Sequence, residues 1–207
     1  MKKETVLGIL FFSGIWGISE AVLGGLLYRV GVPHASVALT IIAFIVLTFA
    51  RVYFPQKGMA ALIAVFAMLY KFMNAPFFAC HMFGILLTGI CYDMFFSVFK
   101  IKNKSICAAA AVYVNYILFA LMMTYLFRYE YWAQAGLIKV LSYIGVGGSI
   151  AALGAAVFVP LSFRFGEKLK AKYGIPFGLQ LRLAAGGISI ATMVIWIFGL
   201  AVLFLKM

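Results

Sequence analysis

Acidic residues, and charges in general, are scarce in this sequence. Only 5 of its 207 residues are Asp or Glu, and charged residues of both signs make up 11% of the chain. Soluble domains average about a quarter charged residues and slightly under half apolar ones, whereas 66% of this chain is hydrophobic. A soluble fold of this length cannot bury so many apolar side chains, so the composition indicates that lipid is the solvent.

The few charges that are present are mostly basic. The chain has 17 Lys and Arg residues, and its formal net charge is +12. In a soluble protein such an excess would suggest a nucleic-acid partner. No basic patch interleaved with aromatic residues lies outside the apolar segments, however, and we expect no nucleic-acid partner. Lys and Arg retained on the cytoplasmic loops of a membrane protein account for the same charge.

Sequence signatures of catalysis and of cofactor binding are also missing. Cys80, Cys91 and Cys107 form no CxxC pair and are interpreted as small buried hydrophobic residues. The chain has no phosphate-binding loop, no Gly-rich nucleotide fingerprint and no local pattern of a catalytic triad. Residues that could bind a metal lack the spacing of a standard motif; they are Glu20, His34, Cys80, His81 and Asp93. We therefore expect no enzymatic activity, no metal and no other cofactor.

Long apolar segments dominate the chain. A transmembrane helix needs about 20 consecutive apolar residues. Seven segments approach or exceed that length, at about 5–28, 34–52, 58–73, 77–99, 105–127, 136–163 and 183–205. The third is the shortest, and if it is re-entrant the number of spans falls to six. The sequence thus predicts an all-α polytopic transmembrane helix bundle in a single integral membrane domain, residues 1–207.

The distribution of Lys and Arg predicts the orientation of the bundle. With the N-terminus in the cytoplasm, most of these residues fall on inner loops, as the positive-inside rule requires. This topology places the C-terminus outside and fits the cell (inner) membrane of a prokaryotic-type cell. The basic stretch 164–182 has two interpretations. It is either a solvated loop or an amphipathic segment that lies on anionic lipid or docks a cytoplasmic partner.

Four small residues recur at intervals of four in the first segment: Ser13, Gly17, Ala21 and Gly25. This spacing places them along one side of a helix. Small residues in such a row allow two helices to approach closely in lipid. The row therefore predicts either close packing within the bundle or docking to a separate membrane subunit.

A carboxylate stands beside this row of small residues. A charged side chain in mid-bilayer costs about 2.5–3.5 kcal/mol on insertion scales, so Glu20 needs a reason to be there. At 1.5 Å per residue it lies roughly 22 Å along the first helix, in the outer third of the membrane. Lys71, Asn74 and His81 are predicted at the same depth, and Trp16 would add an aromatic wall. Three interpretations are open: an outward-facing ligand pocket, a structural ion pair of Glu20 with Lys71 or with a helix end, and a proton relay.

Two further polar residues lie within predicted spans. Asp93, in the inner third of the fourth segment, is interpreted chiefly as a structural partner for an inner Lys or a helix end. Asn115 lies near the middle of the fifth segment. It is either an interhelical hydrogen-bonding residue or a ligand contact, and we include it among the candidate ligand-binding residues.

The chain resembles the substrate-capture (S) components of energy-coupling factor (ECF) transporters. The resemblance rests on its size, apolar character and short loops, on the pattern SxxxGxxxAxxxG over Ser13, Gly17, Ala21 and Gly25, and on the stretch WGISEA at 16–21. It implies that the protein binds a vitamin, a vitamin precursor or a similar micronutrient near the outer face. It also implies docking through the small-residue row onto a membrane coupling subunit that carries two ATPases.

The leading functional prediction is therefore a substrate-binding membrane subunit of a micronutrient uptake transporter. Its ligand would contact Glu20, Lys71, Asn74, His81 and two further residues, Trp16 and Asn115. One alternative is a self-contained secondary transporter or channel that uses Glu20 and Asp93. The others are a membrane-embedded structural or assembly subunit and a membrane-embedded enzyme acting on a lipid-like substrate.

Overall fold

The computed structural model describes residues 3–73, 79–99, 101–134 and 136–172, together with residues 190, 193–197 and 201. Within these ranges the α-helices are α1 (Lys3–Ile18), α2 (Gly24–Arg29), α3 (Ala35–Tyr53), α4 (Met59–Leu69), α5 (Ala79–Asp93), α6 (Lys104–Leu121), α7 (Glu130–Ala133), α8 (Gly136–Ser142) and α9 (Ser149–Lys172). Several continue into π turns, at Ser19–Leu23, Met94–Val98, Met122–Leu126 and Tyr143–Gly148, and α4 continues into a 3₁₀ turn at Tyr70–Met73. The described residues form no strand.

Five of the described helical stretches are long and apolar enough to cross a membrane. They are Thr5–Leu27, Ala35–Tyr53, Cys80–Val98, Lys104–Leu126 and Gly136–Lys172. The third predicted segment is the shorter apolar helix Met59–Lys71, about 20 Å long against a hydrocarbon core of about 30 Å. The prediction of an all-α transmembrane bundle is confirmed. Of the predicted seventh segment, residues 193–197 are helical, and most of the others lie outside the described residues.

Small side chains hold the bundle together. Helix α9 packs against both α6 and α3, and α4 packs between α1 and α5. Where α6 meets α9, both helices contribute alanines with no exposed surface, including Ala108, Ala111, Ala151 and Ala155. In lipid the hydrophobic effect does not drive helices together, so close van der Waals contact between small residues supplies much of the attraction.

Gly89 marks the tightest approach of α5 to α4, and it provides a direct test of this packing. A Cβ added at Gly89 would lie 2.7 Å from the carbonyl oxygen of Ala60 and 2.5 Å from Cβ of Ala64. Backbone atoms cannot rotate away, so we expect Gly89→Ala to lower the free energy of unfolding by about 1–3 kcal/mol. Denaturation of the purified protein in detergent micelles would measure this loss.

Gly145 provides the matched control, since a Cβ added there meets no atom within 4 Å. Gly145→Ala should therefore leave stability unchanged or raise it slightly, because alanine loses less backbone entropy in a helix than glycine does. Equal losses for the two variants would contradict the packing described for Gly89.

The last long helix extends well beyond the length that the sequence suggested. The sixth apolar segment was predicted to end near residue 163, but the continuous helical stretch Gly136–Lys172 has 37 residues. At 1.5 Å per residue it is about 55 Å long, nearly twice the hydrocarbon thickness. The loop interpretation is wrong for residues 164–172, which form the end of α9. Residues 173–182 lie outside the described part.

An ionic cluster joins α3, α4 and α5 at the end of the bundle predicted to face the cytoplasm. Asp93 Oδ2 accepts a hydrogen bond of 2.8 Å from the backbone N–H of Ala61, a first-turn amide of α4 with no partner in its own helix. Asp93 Oδ1 lies 3.9 Å from Arg51 Nη1. Arg51 also donates to the hydroxyl of Ser97 and to the carbonyl of Phe96. Asp93 thus has the structural partners expected of it, with Arg51 in place of a lysine.

Candidate functional site

Turns that depart from α-helical geometry position the charged residues at the other end of the bundle. Glu20 lies in the π turn Ser19–Leu23, and Lys71 lies in the 3₁₀ turn Tyr70–Met73. Tyr143, in the wall of the same region, begins another π turn. A π turn inserts one extra residue, so it re-aims the side chains around it, and such turns are frequent at functional sites.

Glu20 and Lys71 form a buried ion pair. Lys71 Nζ lies 3.2 Å from Glu20 Oε2 and donates a 2.9 Å hydrogen bond to the backbone carbonyl of Glu20. The two residues are only 9% and 7% exposed. Burying either charge alone would cost several kcal/mol, and the opposite charge of the partner offsets that cost. The structural pairing predicted for Glu20 is therefore present.

The same pair lines a cavity of about 80 Å³. Residues from the first, third and fourth helices contribute to its wall, together with residues from α5, α6 and the turn before α9. The lining comprises Glu20, Ser36, Leu39, Thr40, Ala43, Lys71, His81, Gly84, Ile85, Thr88, Asn115, Phe119 and Tyr143. One water needs about 10–15 Å³ on this measure, so the cavity has room for several waters or for a molecule of a few heavy atoms.

The cavity brings together most of the predicted ligand-binding residues. Glu20, Lys71, His81 and Asn115 all line it. Trp16 does not. Its side chain is 1% exposed and lies in the main apolar core. Asn74 lies outside the described residues.

Asn115 lies deep in this cavity and is 6% exposed. Its Nδ2 donates a 3.1 Å hydrogen bond to the hydroxyl of Thr88, and the Thr88 hydroxyl donates a 2.8 Å bond to the carbonyl of Gly84. The predicted interhelical hydrogen bond is thus present, between α6 and α5. Within the part of the chain that the structure describes, Asn115 Oδ1 is a buried acceptor without a donor.

Several polar lining residues were missed from the sequence. Thr88 follows His81 by two helical turns, so the two lie on one face of α5. Ser36 and Thr40 are four residues apart at the start of α3, again on one face. Single hydroxyls in apolar helices are common, because they can bond to their own backbone. The available signals were the i, i+7 spacing of Thr88 from His81 and the i, i+4 spacing of Ser36 and Thr40.

The small-residue row of the first helix is largely covered by this chain itself. Ser13 is fully buried, and its hydroxyl donates to the Leu10 carbonyl. A Cβ added at Gly17 would clash with the ring of Tyr70, and Ala21 is buried in a cluster with the same ring. Gly25, the outermost member, is half-buried. The row therefore serves packing within the bundle, and docking through it remains a prediction.

No family model, curated protein or solved structure matches this chain. The fold is that of a polytopic all-helical membrane protein. A cavity lined by the Glu20–Lys71 ion pair lies between its helices. Among the described residues, no group of three or more His, Cys, Asp or Glu side chains could hold a metal ion.

Proposed function

We propose that this protein is a substrate-binding membrane subunit of an uptake transporter for a vitamin, a vitamin precursor or a similar micronutrient. The observation that carries the proposal is the cavity lined by Glu20, Lys71, His81 and Asn115. Four polar residues from different helices face one common space of about 80 Å³. Clefts between the helices of a bundle with several convergent polar groups are common ligand sites.

The electrostatics of the cavity suit a ligand without net charge. Lys71 and Glu20 neutralise each other when the site is empty, so neither charge is left exposed to lipid. An incoming molecule can bond to the remaining N–H groups of Lys71 and the remaining lone pairs of Glu20 without separating the pair. A small zwitterion or a polar heterocycle supplies both kinds of partner.

The predicted orientation places the cavity toward the outer face of a prokaryotic-type cell membrane, where an uptake system meets its ligand. The sequence has no nucleotide-binding motif, so energy for release would come from separate ATPases through a membrane coupling subunit. Gly25, the outermost residue of the first-helix row, is half-buried and would be the point of contact with such a partner. The proposal includes no catalytic step and no cofactor.

Glu20→Gln tests the proposal. We expect it to weaken ligand binding tenfold or more, because hydrogen bonds to a charged group contribute about 1.5–3 kcal/mol and each 1.4 kcal/mol is a factor of ten. Small molecules retained through gentle purification in detergent would be identified by mass spectrometry. The dissociation constant of the retained compound would then be measured for both proteins by calorimetry.

Glu130→Gln is the matched control. It makes the same chemical change at an exposed acid, whose side chain accepts a hydrogen bond from Gln134 of its own helical region, and it should leave the dissociation constant unchanged. Equal affinities in the wild type and in Glu20→Gln would show that the cavity is not the binding site. Ligand flux in liposomes without any partner would instead favour a self-contained transporter.

A further inference from the structure

One face of α9 carries an exposed row of large apolar side chains. The row comprises Ile150, Leu153, Val157 and Leu161, which are 50–69% exposed. Three or four residues separate each member from the next, so the side chains lie along one side of the helix. Exposed apolar surface of this kind marks a membrane contact, and on a membrane-spanning helix it faces the acyl chains of lipids.

Basic side chains continue the same row beyond Leu161. Arg164, Lys168 and Lys172 follow at the same spacing, and all three are exposed. At 1.5 Å per residue, Arg164 lies about 4.5 Å beyond Leu161 along the helix, and Lys168 lies about 6 Å further. The headgroup region on each side of a bilayer is roughly 5–8 Å thick. With the apolar part of this α9 row among acyl chains, its first two basic residues therefore lie at the depth of lipid headgroups.

The positive charge of these two residues is not neutralised within the part of the chain that the structure describes. No described acidic group lies within 4 Å of Arg164 or Lys168. Glu167, the residue before Lys168, is paired with Lys104, whose Nζ lies 3.1 Å from its Oε1. The α9 row thus presents uncompensated positive charge next to an apolar surface.

We propose that the α9 row binds an anionic phospholipid of the inner leaflet. An acyl chain lies along Val157 and Leu161, and the phosphate contacts Arg164, whose planar fork of N–H groups matches phosphate geometry. Lys168 lies on the water side of the phosphate, where a zwitterionic lipid carries its cationic group. Because like charges repel there, the row favours a headgroup with net negative charge.

Continuity of the apolar and basic parts favours a lipid as the occupant. A lipid covers both parts at once, whereas a free phosphate ion or a cytoplasmic protein reaches only the basic part. Clusters of Lys and Arg at the cytoplasmic end of a membrane helix are typical of contact with anionic lipid. The inference does not depend on the proposed function, since no residue of the row lines the cavity.

Competition between two lipids tests the inference. The full-length protein in detergent would be mixed with equal amounts of phosphatidylglycerol and phosphatidylcholine that have identical acyl chains. Native mass spectrometry would then count the bound lipids of each kind. We expect phosphatidylglycerol to be retained about tenfold more often or better, because each basic residue near an anionic lipid surface contributes about a factor of five.

A double variant locates the preference on α9. Arg164→Gln with Lys168→Gln removes both charges from exposed positions and keeps good helix formers there, so the melting temperature in detergent should be unchanged. The preference for phosphatidylglycerol should fall about tenfold. Arg29→Gln with Arg128→Gln is the matched control, since it removes two exposed charges at the predicted outer end and should leave the preference as it is.

Three results would overturn the inference. Equal retention of the two lipids by the wild type would exclude a site for anionic lipid and leave the basic end of α9 to a cytoplasmic partner. An equal fall in both double variants would attribute the preference to net charge and not to the α9 row. Displacement of bound phosphatidylglycerol by millimolar inorganic phosphate would show that the row recognises the free anion.

Discussion

Lys71→Met is expected to lower the free energy of unfolding by about 3–5 kcal/mol, the usual cost of leaving one member of a buried ion pair without its partner. The variant removes the only described cation within 4 Å of the Glu20 carboxylate and also the donor to the Glu20 backbone carbonyl. Methionine is apolar and of similar length, so the side-chain volume is largely preserved. Denaturant titration of the purified protein in micelles would measure the loss.

The control is an ion pair with a similar N–O distance that is exposed to solvent. Lys104 Nζ lies 3.1 Å from Glu167 Oε1, but the two side chains are 45% and 58% exposed. Because water solvates both charges, we expect Lys104→Met to cost less than about 1 kcal/mol. In a Lys71→Met, Glu20→Gln double variant no charge is left buried, so part of the stability should return. Similar losses for the two lysines would contradict the burial described for Lys71.

Asp93→Ala should have the second largest effect on stability. We expect it to lower the free energy of unfolding by about 2–4 kcal/mol. It leaves the first-turn N–H of Ala61 in α4 without its acceptor, a capping loss of about 1 kcal/mol, and removes the carboxylate beside Arg51. The loss is smaller than for Lys71→Met because the Arg51 side chain is 19% exposed and keeps its bonds to Ser97 and Phe96. The same denaturant titration measures it.

Asp93→Asn separates a structural role from a proton-carrying one. The asparagine keeps an oxygen for the N–H of Ala61. It loses the charge and the second acceptor, to which the Ser97 hydroxyl donates at 3.3 Å, so we expect a smaller loss of stability than for alanine. Ligand affinity should be unchanged in this variant, since Asp93 is not among the residues that line the cavity. Loss of transport in a stable Asp93→Asn protein would instead support the alternative in which Asp93 carries protons.

The sequence predicts the transmembrane class well, because the length and hydropathy of each segment are local properties. It also predicts the shared depth of Glu20, Lys71 and His81, since helical rise and the alternation of spans convert residue number into depth. The structural role of Asp93 followed from its place in the inner third of its segment, where an inner Lys or a helix end was expected as its partner.

Other features depend on tertiary packing that a linear pattern does not contain. Trp16 is aromatic and lies about one helical turn from Glu20, which suggested a cavity wall, but its side chain lies in the main apolar core. From the sequence, the end of α9 was interpreted as a polar loop, because residues 164–172 follow the apolar segment. Its helix is nevertheless supported by the hydrogen bond from Lys170 Nζ to the carbonyl of Val52, at 2.7 Å. Thr88 was not predicted, because it is uncharged and single hydroxyls are common in apolar helices.

The mutual neutralisation of Glu20 and Lys71 has an electrical consequence. An isolated charge moved across a membrane exchanges about 2.3 kcal/mol of work with a potential of 100 mV. The ion pair at 3.2 Å carries equal and opposite charges and would move as a dipole, so displacement of the pair as a unit does almost no net work against the field. Movement of this pair would therefore be as easy in an energised membrane as in a de-energised one.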